Sequence, residues 1–291
     1  MEVSNLVSSL PDTATLEAVL DMAAAAPSAR NSQPWRWRVG GDGVGLYADW
    51  GRQLDDSDFA RRDVLLSCGA VLDHCVVALA AAGWSPRVRR LPDSDDARYL
   101  ALIEVVESPA SQDSVELSAA IPRRRADRRR YDTRAIPAGT LEWFYIQAAR
   151  AAVRLGVVPK IRWVRADDGS VMLRYGKGPR GAGGPPADDA AMMVLGTDTD
   201  SDLDRLRAGE TLSRLVLSAT SVGLATCPLT EPLQNTRDRL TLACEVFDGE
   251  AYPQTLIRVG WAPRDGDALA PVGRRPAREI TIWDPDVRSA H

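Results

Sequence analysis

The sequence predicts an α+β sandwich built from two tandem halves, 1–110 and 111–291, that stand to each other like the subunits of a dimer fused into one chain. Three pairs of segments, met in the same order in each half, carry this expectation. The stretches "GAVLDHCVVALAAAG" (69–83) and "GETLSRLVLSATSVG" (209–223) are both long and helical, with bounding glycines 14 residues apart. "LIEVVESP" (102–109) matches "LIRVGWAP" (256–263), an apolar run ending at proline and read as a buried strand. "WRWRV" (35–39) matches "IRWVR" (161–165). The offsets grow from 126 through 140 to 154 residues, so the second half carries insertions.

Along the first half, an alanine-rich helix gives way to "APSARNSQPWRWRV" (26–39). Pro34 ends a turn there, and Trp35 and Trp37 alternate with Arg36 and Arg38 as in a half-buried strand. That leaves Ser28, Arg30, Asn31, Ser32 and Gln33, five hydrogen-bonding side chains crowded into a loop between apolar elements, where function often sits. Glycines 41, 43 and 45 of "GGDGVGLYAD" read as a hairpin turn, because no helix begins there. The long helix and its strand follow, and the polar stretch "ESPASQDSVELSAA" (107–120) reads as the linker.

The second half opens on "RRRADRRRYD" (123–132), in which six of the eight residues 123–130 are arginine. Such a run suits a nucleic acid, a solvated charged face, or the phosphate of a small ligand. Asp127 interrupts it, no aromatic residue is interleaved for base stacking, and the net charge of the chain is −4, so nucleic acid is set aside. A guanidinium fork grips a phosphate through two bonds and keeps its charge when desolvated, which favours the small ligand. Arg274 and Arg275 in "PVGRRPAREI" form a second basic pair near the C-terminus.

Between these lies "GKGPRGAGGPPADD" (176–189), whose glycine and proline content forbids regular helix and suggests a mobile flap. A phosphate-binding P-loop is excluded by the lack of a Lys-Ser/Thr pair and of a following amphipathic helix. At the 126-residue offset, the polar loop of the first half corresponds to "VRLGVVPKI" (153–161), which has no polar cluster. The counterpart of the arginine run falls near or before Met1. Each half thus keeps one set of parts, and a single complete site between them is expected.

Composition narrows the chemistry. Hydrophobic residues make up 45% and charged residues 26% of 291, as in an ordinary globular protein. The longest apolar run, 71–82, is broken by Asp73 and His74, and the start of the chain lacks a signal-peptide pattern, so a cytoplasmic protein without a membrane span is expected. Cys68, Cys75, Cys227 and Cys244 are scattered and read as buried free thiols. With His74 and His291 as the two histidines, a zinc site or a Ser-His-Asp triad is not expected.

The segment "APSARNSQPWRW" resembles the motif Pro-Ser-x-x-Asn-x-Gln-Pro-Trp of FMN-dependent nitroreductases, through Pro27, Ser28, Asn31, Gln33, Pro34 and Trp35. In that family it meets an Arg-x-Ser-x-Arg/Lys segment across the dimer interface, here similar to Arg125, Asp127 and Arg129. "GLATCPLTE" resembles the family's segment beneath the flavin ring, and Arg274 with Arg275 its C-terminal phosphate-binding residues. The tandem arrangement, with "GLYAD", "DVLLSCGA" and "RRPAREI", resembles the Acg-like mycobacterial branch, single chains of two nitroreductase-like halves.

The resemblance implies a nitroreductase-like sandwich and one FMN per chain. Arg125, Arg274 and Arg275 would bind its phosphate, and Arg129 would face the polar edge of the isoalloxazine. Ser28, Asn31 and the backbone at Pro27 would close over ribityl and phosphate. Pro228, Leu229, Thr230 and Glu231 would lie against the ring, with a backbone N–H directed at N5. Asp127 departs from the usual Ser or Thr and needs arginine neighbours to neutralise it. Two functions remain open: an NAD(P)H-dependent oxidoreductase that reduces a nitroaromatic or quinone, and an FMN-sequestering or storage protein with a flap-covered flavin. In both the chain is expected to be a monomer with an internal pseudo-dimer.

Overall fold

Asp12 starts the first helix, α1 (Thr13–Ala23), by accepting the Thr15 amide at 2.9 Å. The computed structural model describes residues 10–175, 190–264 and 267–288, so the flap expected at 176–189 lies outside the described residues. After α1 come β1 (Trp35–Gly40) and β2 (Gly43–Ala48), an antiparallel hairpin turning at Gly41 and Asp42 as the glycine pattern predicts. Trp35 and Trp37 are fully buried, and Arg36 and Arg38 point outward. Helix α2 (Asp58–Ala81), capped by Ser57, leads to β3 (Trp84–Arg90) and β4 (Tyr99–Glu107).

The stretch read as a linker is instead largely helix, α3 (Gln112–Ala120). Ser111 caps it by accepting the Ser114 amide, and Asp113 complements the dipole of its first turn. Then follow α4 (Ala138–Arg150), β5 (Arg154–Val158), β6 (Trp163–Arg165), β7 (Val171–Leu173), β8 (Ala191–Thr197), α5 (Asp202–Ser221), β9 (Ala225–Leu229), α6 (Thr236–Phe247), β10 (Tyr252–Gly260), α7 (Ala277–Ile280) and β11 (Thr281–Trp283).

One sheet has the order β11-β1-β2-β4-β3 and packs on α2; the other has the order β5-β8-β10-β9 and packs on α5. The two helices pack on each other between the sheets. The repeat glycines explain this layering. A Cβ on Gly69 would lie 2.0 Å from the Leu206 carbonyl oxygen, and one on Gly209 would lie 2.1 Å from that of Leu66, so only glycine permits this backbone approach. The partner glycines, Gly83 at φ +90° and Gly223 at φ +84°, sit just past the helix ends in the left-handed conformation that terminates helices.

Ion pairs tie the crossing on its flanks. Arg205 pairs with Asp58 at 2.8 Å, Arg214 with Asp73 at 2.6 Å, and Arg90 with Glu210 at 2.7 Å. His74 lies inside it, its Nδ1 2.7 Å from the Ser213 hydroxyl, which itself donates to Asp73. Burial and the cations Arg124, Arg274 and Arg214 keep that imidazole neutral. By length and hydropathy α2 could cross a membrane, but 83% of its apolar stretch is buried inside the protein.

One repeat assignment does not survive. The strand at 161–165 does not occupy the place of β1; its β6 portion pairs with β7 in a separate two-stranded ribbon. By position in the sheet the counterpart of β1 is β5, and 153–161, aligned above with the polar loop, is mostly that strand. The polar loop still has no equivalent, because only Ala151 to Val153 separate α4 from β5. The thiols of Cys68, Cys75 and Cys227 are buried, whereas Cys244 is exposed.

Candidate functional site

A cavity of about 580 Å³ opens where α2, α5, the polar loop, the arginine segment and the C-terminal segment meet. That volume lies within the usual range for small-molecule sites. Leu66 and Leu212 form part of its floor, and Pro27, Ile121, Pro271 and Val272 part of its walls.

The polar loop is held under strain. Arg30 (φ +48°), Asn31 (φ +57°) and Gln33 (φ +48°) all occupy the left-handed region, each at a cost on the order of 1 kcal/mol. The crowded side chains hold it there. Ser28 Oγ accepts the Gln33 amide at 3.1 Å, and Ser67 of α2 accepts the Ala29 amide at 3.3 Å. Asn31 Nδ2 donates to the Gly273 carbonyl at 3.1 Å, while Gln33 Oε1 accepts the Arg275 amide at 2.8 Å. The loop therefore clamps the C-terminal segment and sets where Arg274 stands. Asn31 Oδ1 is buried without a partner.

The six arginines of the run separate. Arg123 is exposed, with Nε on the Ala119 carbonyl. Arg124 is 4% exposed; one Nη donates to the Ala25 carbonyl at 3.1 Å, and its Nε and other Nη have no partner. Arg125 donates to the carbonyls of Leu269, Pro122 and Arg124, and Arg274 to those of Val272, Gly273 and Ala25. Among the described residues no carboxylate pairs with Arg124, Arg125 or Arg274. Burial, then repulsion from Arg274 and Arg125, lowers the Arg124 guanidinium to about 10, and burial lowers Arg274 as well. Three cations facing carbonyls and one another make a site for an anion.

Of the residues expected from sequence, Pro27, Ser28, Asn31, Arg125, Pro228, Leu229, Thr230, Glu231 and Arg274 line this cavity together. Gln33, Asp127, Arg129 and Arg275 do not. Gln33 acts behind the wall through the Arg275 amide. Asp127, buried at 3% exposure, binds Arg129 at 2.7 Å, so each neutralises the other. Arg129 also donates to the Asp267 carbonyl at 2.7 Å. The Thr230 amide, one of those expected to face the ligand, donates to the Glu231 carboxylate at 3.2 Å.

The lining also contains Asp63, Ser67 and Thr255, which carried no assignment in the sequence, and Arg30, Arg124 and Arg128, which stood out there only as members of the polar loop and the arginine run. Arg128 pairs with Glu231 at 3.1 Å. Asp63, 5% exposed, has a buried oxygen, Oδ1, without a partner. Burial raises this carboxyl to about 7; a Thr230 hydrogen bond, Arg62 and Arg30 oppose the rise, and Glu231 adds to it.

A crystal structure of a nitroreductase, so assigned provisionally, from Anabaena variabilis matches 88% of this chain and 90% of its own with a TM-score of 0.54 at 12% identity. The molecule is thus an α+β protein of the nitroreductase fold. A Mycobacterium tuberculosis protein provisionally named an NAD(P)H nitroreductase is 40% identical over 319 residues, 94% of this chain and 92% of that relative. A second from the same organism, the provisional NAD(P)H nitroreductase Acg, is 30% identical over 331 residues, 93% of this chain and 97% of its own. The chain belongs to this Acg-like nitroreductase family. No protein-family model matches it.

Proposed function

We propose that the cavity holds one FMN and that the protein is an NAD(P)H-dependent flavin oxidoreductase acting on a nitroaromatic or quinone. The observation that carries this reading is the convergence of Arg124, Arg125 and Arg274, without carboxylate partners, on an apolar-walled cavity of about 580 Å³. The unsatisfied Nε and Nη of Arg124 are what a bound phosphate would satisfy, and the proline, leucine and valine walls suit a ring. When bound, FMN supplies hydride and electron transfer between nicotinamide and acceptor.

In this reading Arg124, Arg125 and Arg274 bind the phosphate, Ser28 and Asn31 border it, and Pro228 to Glu231 flank the ring. Arg129 and Asp127 form a neutral pair behind the wall and keep the arginine segment in place. Gln33 and Arg275 fix the C-terminal segment from outside the cavity. The cavity is lined from both halves of this one chain, which supports one site per chain; the expected boundary of 1–110 and 111–291 needs one change, because β11 (Thr281–Trp283) crosses back to pair with β1 in the first sheet. A cytoplasmic location agrees with unpaired thiols in a chain of this size.

The test is to purify the protein, release any flavin and count it against protein, then add NADH or NADPH without oxygen. One flavin per chain and loss of its absorbance with either nicotinamide is expected. A ratio near two overturns the single site. Bleaching by dithionite but by neither nicotinamide replaces the oxidoreductase with an FMN-sequestering protein.

A further inference from the structure

Asp63 stands in the second turn of α2 and lines a cavity otherwise rich in arginine. It makes no ion pair among the described residues, although Arg62 and Arg30 are near enough to be felt. Arg62 is committed elsewhere, donating to the Leu233 carbonyl at 3.4 Å and lying over the Phe59 ring at 4.8 Å. Ser67, one turn along the same face, is also occupied: it donates to the Asp63 backbone carbonyl at 2.6 Å and accepts the Ala29 amide. What remains is a buried carboxyl oxygen with nothing to bond, beside Thr230 and Glu231 on the wall assigned to the ring.

A buried carboxylate without an ion pair is strongly disfavoured, whereas a neutral carboxylic acid offers an O–H donor that a ligand can accept. Burial first and then Glu231 press the carboxyl to stay neutral, and Thr230, Arg62 and Arg30 reduce that pressure. We propose that Asp63 is a specificity residue of this cavity, holding a proton on its carboxyl and donating it in a hydrogen bond to an acceptor atom on the ring of the bound flavin.

This rests on the flavin reading above. It makes binding proton-linked: ligand binds the neutral acid, so above about pH 7 the ligand-free carboxylate must take up a proton first, and affinity falls about tenfold per pH unit. The phosphate of FMN titrates near pH 6 with the opposite effect, since its dianion is the better partner for arginine. Riboflavin lacks that phosphate and isolates the role of Asp63.

The experiment measures dissociation constants of riboflavin and FMN by flavin fluorescence between about pH 6 and about pH 9 for the wild type, Asp63→Asn and Asp63→Ala. Calorimetry of wild-type binding near pH 8, in two buffers of different ionisation enthalpy, counts protons directly. For the wild type, riboflavin affinity is expected to be flat below about pH 7 and to fall about tenfold per unit above it, with uptake of about one proton. Asp63→Asn keeps a donor without a titrating proton, so its affinity is flat across the range and equals the low-pH wild type. Asp63→Ala is also flat and about two- to tenfold weaker. Equal pH slopes in wild type and Asp63→Asn, or no proton uptake by the wild type, overturn the role of Asp63 and leave the flavin reading standing. No binding of either flavin to any variant at any pH overturns both.

Discussion

Replacing Arg124 by Met should have two effects of opposite sign. In the ligand-free protein its guanidinium is lowered by burial to about 10, and each tenfold loss of proton affinity is worth about 1.4 kcal/mol. The buried charge thus costs on the order of 3 kcal/mol at neutral pH, and this penalty is complete at any pH below about 10. Met fills similar space with no charge to desolvate and loses one hydrogen bond, to the Ala25 carbonyl, worth about 1 kcal/mol. A net gain of about 2 kcal/mol raises the melting temperature by several degrees in a chain of this size. FMN binding should weaken by about ten- to a hundredfold, the loss of a charge-assisted phosphate contact. Thermal unfolding with and without FMN, together with fluorescence titration, measures both. A variant that melts lower than the wild type and binds FMN equally well would show that Arg124 is a structural anchor, and the anion site would have to be abandoned.

Arg125→Ala should also weaken FMN binding by about tenfold or more, while Arg123→Ala, at an exposed site outside the cavity, should leave it unchanged. Equal losses would mean a diffuse basic patch. Gly209→Ala should destabilise by about 3 kcal/mol or more in urea unfolding, because the new methyl would lie 2.1 Å from the Leu66 carbonyl oxygen. Gly139→Ala, with nothing within 4 Å in α4, should be neutral or stabilise by about 0.5–1 kcal/mol. Asp63 has a folded value of about 7 against an ordinary 3.8, so the folded state holds a proton that the unfolded chain has released. Its contribution is present at low pH and is lost as pH rises from about 4 to about 7, on the order of 4 kcal/mol. Unfolding of the ligand-free wild type and Asp63→Asn across that window should diverge by that amount, and parallel curves would rule out the buried acid. Gln33→Ala should cost about 1–2 kcal/mol and weaken FMN binding without touching the cavity, because the Arg275 amide loses its acceptor.

The helical repeat was legible in sequence because its glycines are constrained by physics that local sequence displays: a crossing too close for any Cβ, and a helix end in the left-handed region. The strand match between 35–39 and 161–165 failed because a short alternation of tryptophan and arginine records only a half-buried edge. It does not say which sheet the edge joins. Nine cavity residues could be named beforehand from the polar loop, the arginine segment, the end of β9 with the turn after it, and Arg274. Arg124 could not, since six arginines in a row of eight look alike until the fold decides which one turns inward. Asp63 stayed hidden for a related reason: one carboxyl in the second turn of a helix reads as an ordinary solvated position until the fold buries it.

The legible and hidden parts meet at the helix crossing. Leu66, whose carbonyl forbids a side chain at Gly209, also lines the cavity, and Leu212, less than one turn beyond Gly209 on the opposing helix, lines it too. Asp63 and Ser67 lie within one turn of Leu66 on α2 and are carried to the same wall. A displacement of the crossing would therefore move floor and acid together. Gly209→Ala should consequently weaken flavin binding even under conditions where the variant remains fully folded, and near wild-type affinity in a folded Gly209→Ala protein would mean that the cavity floor is set by something other than this contact.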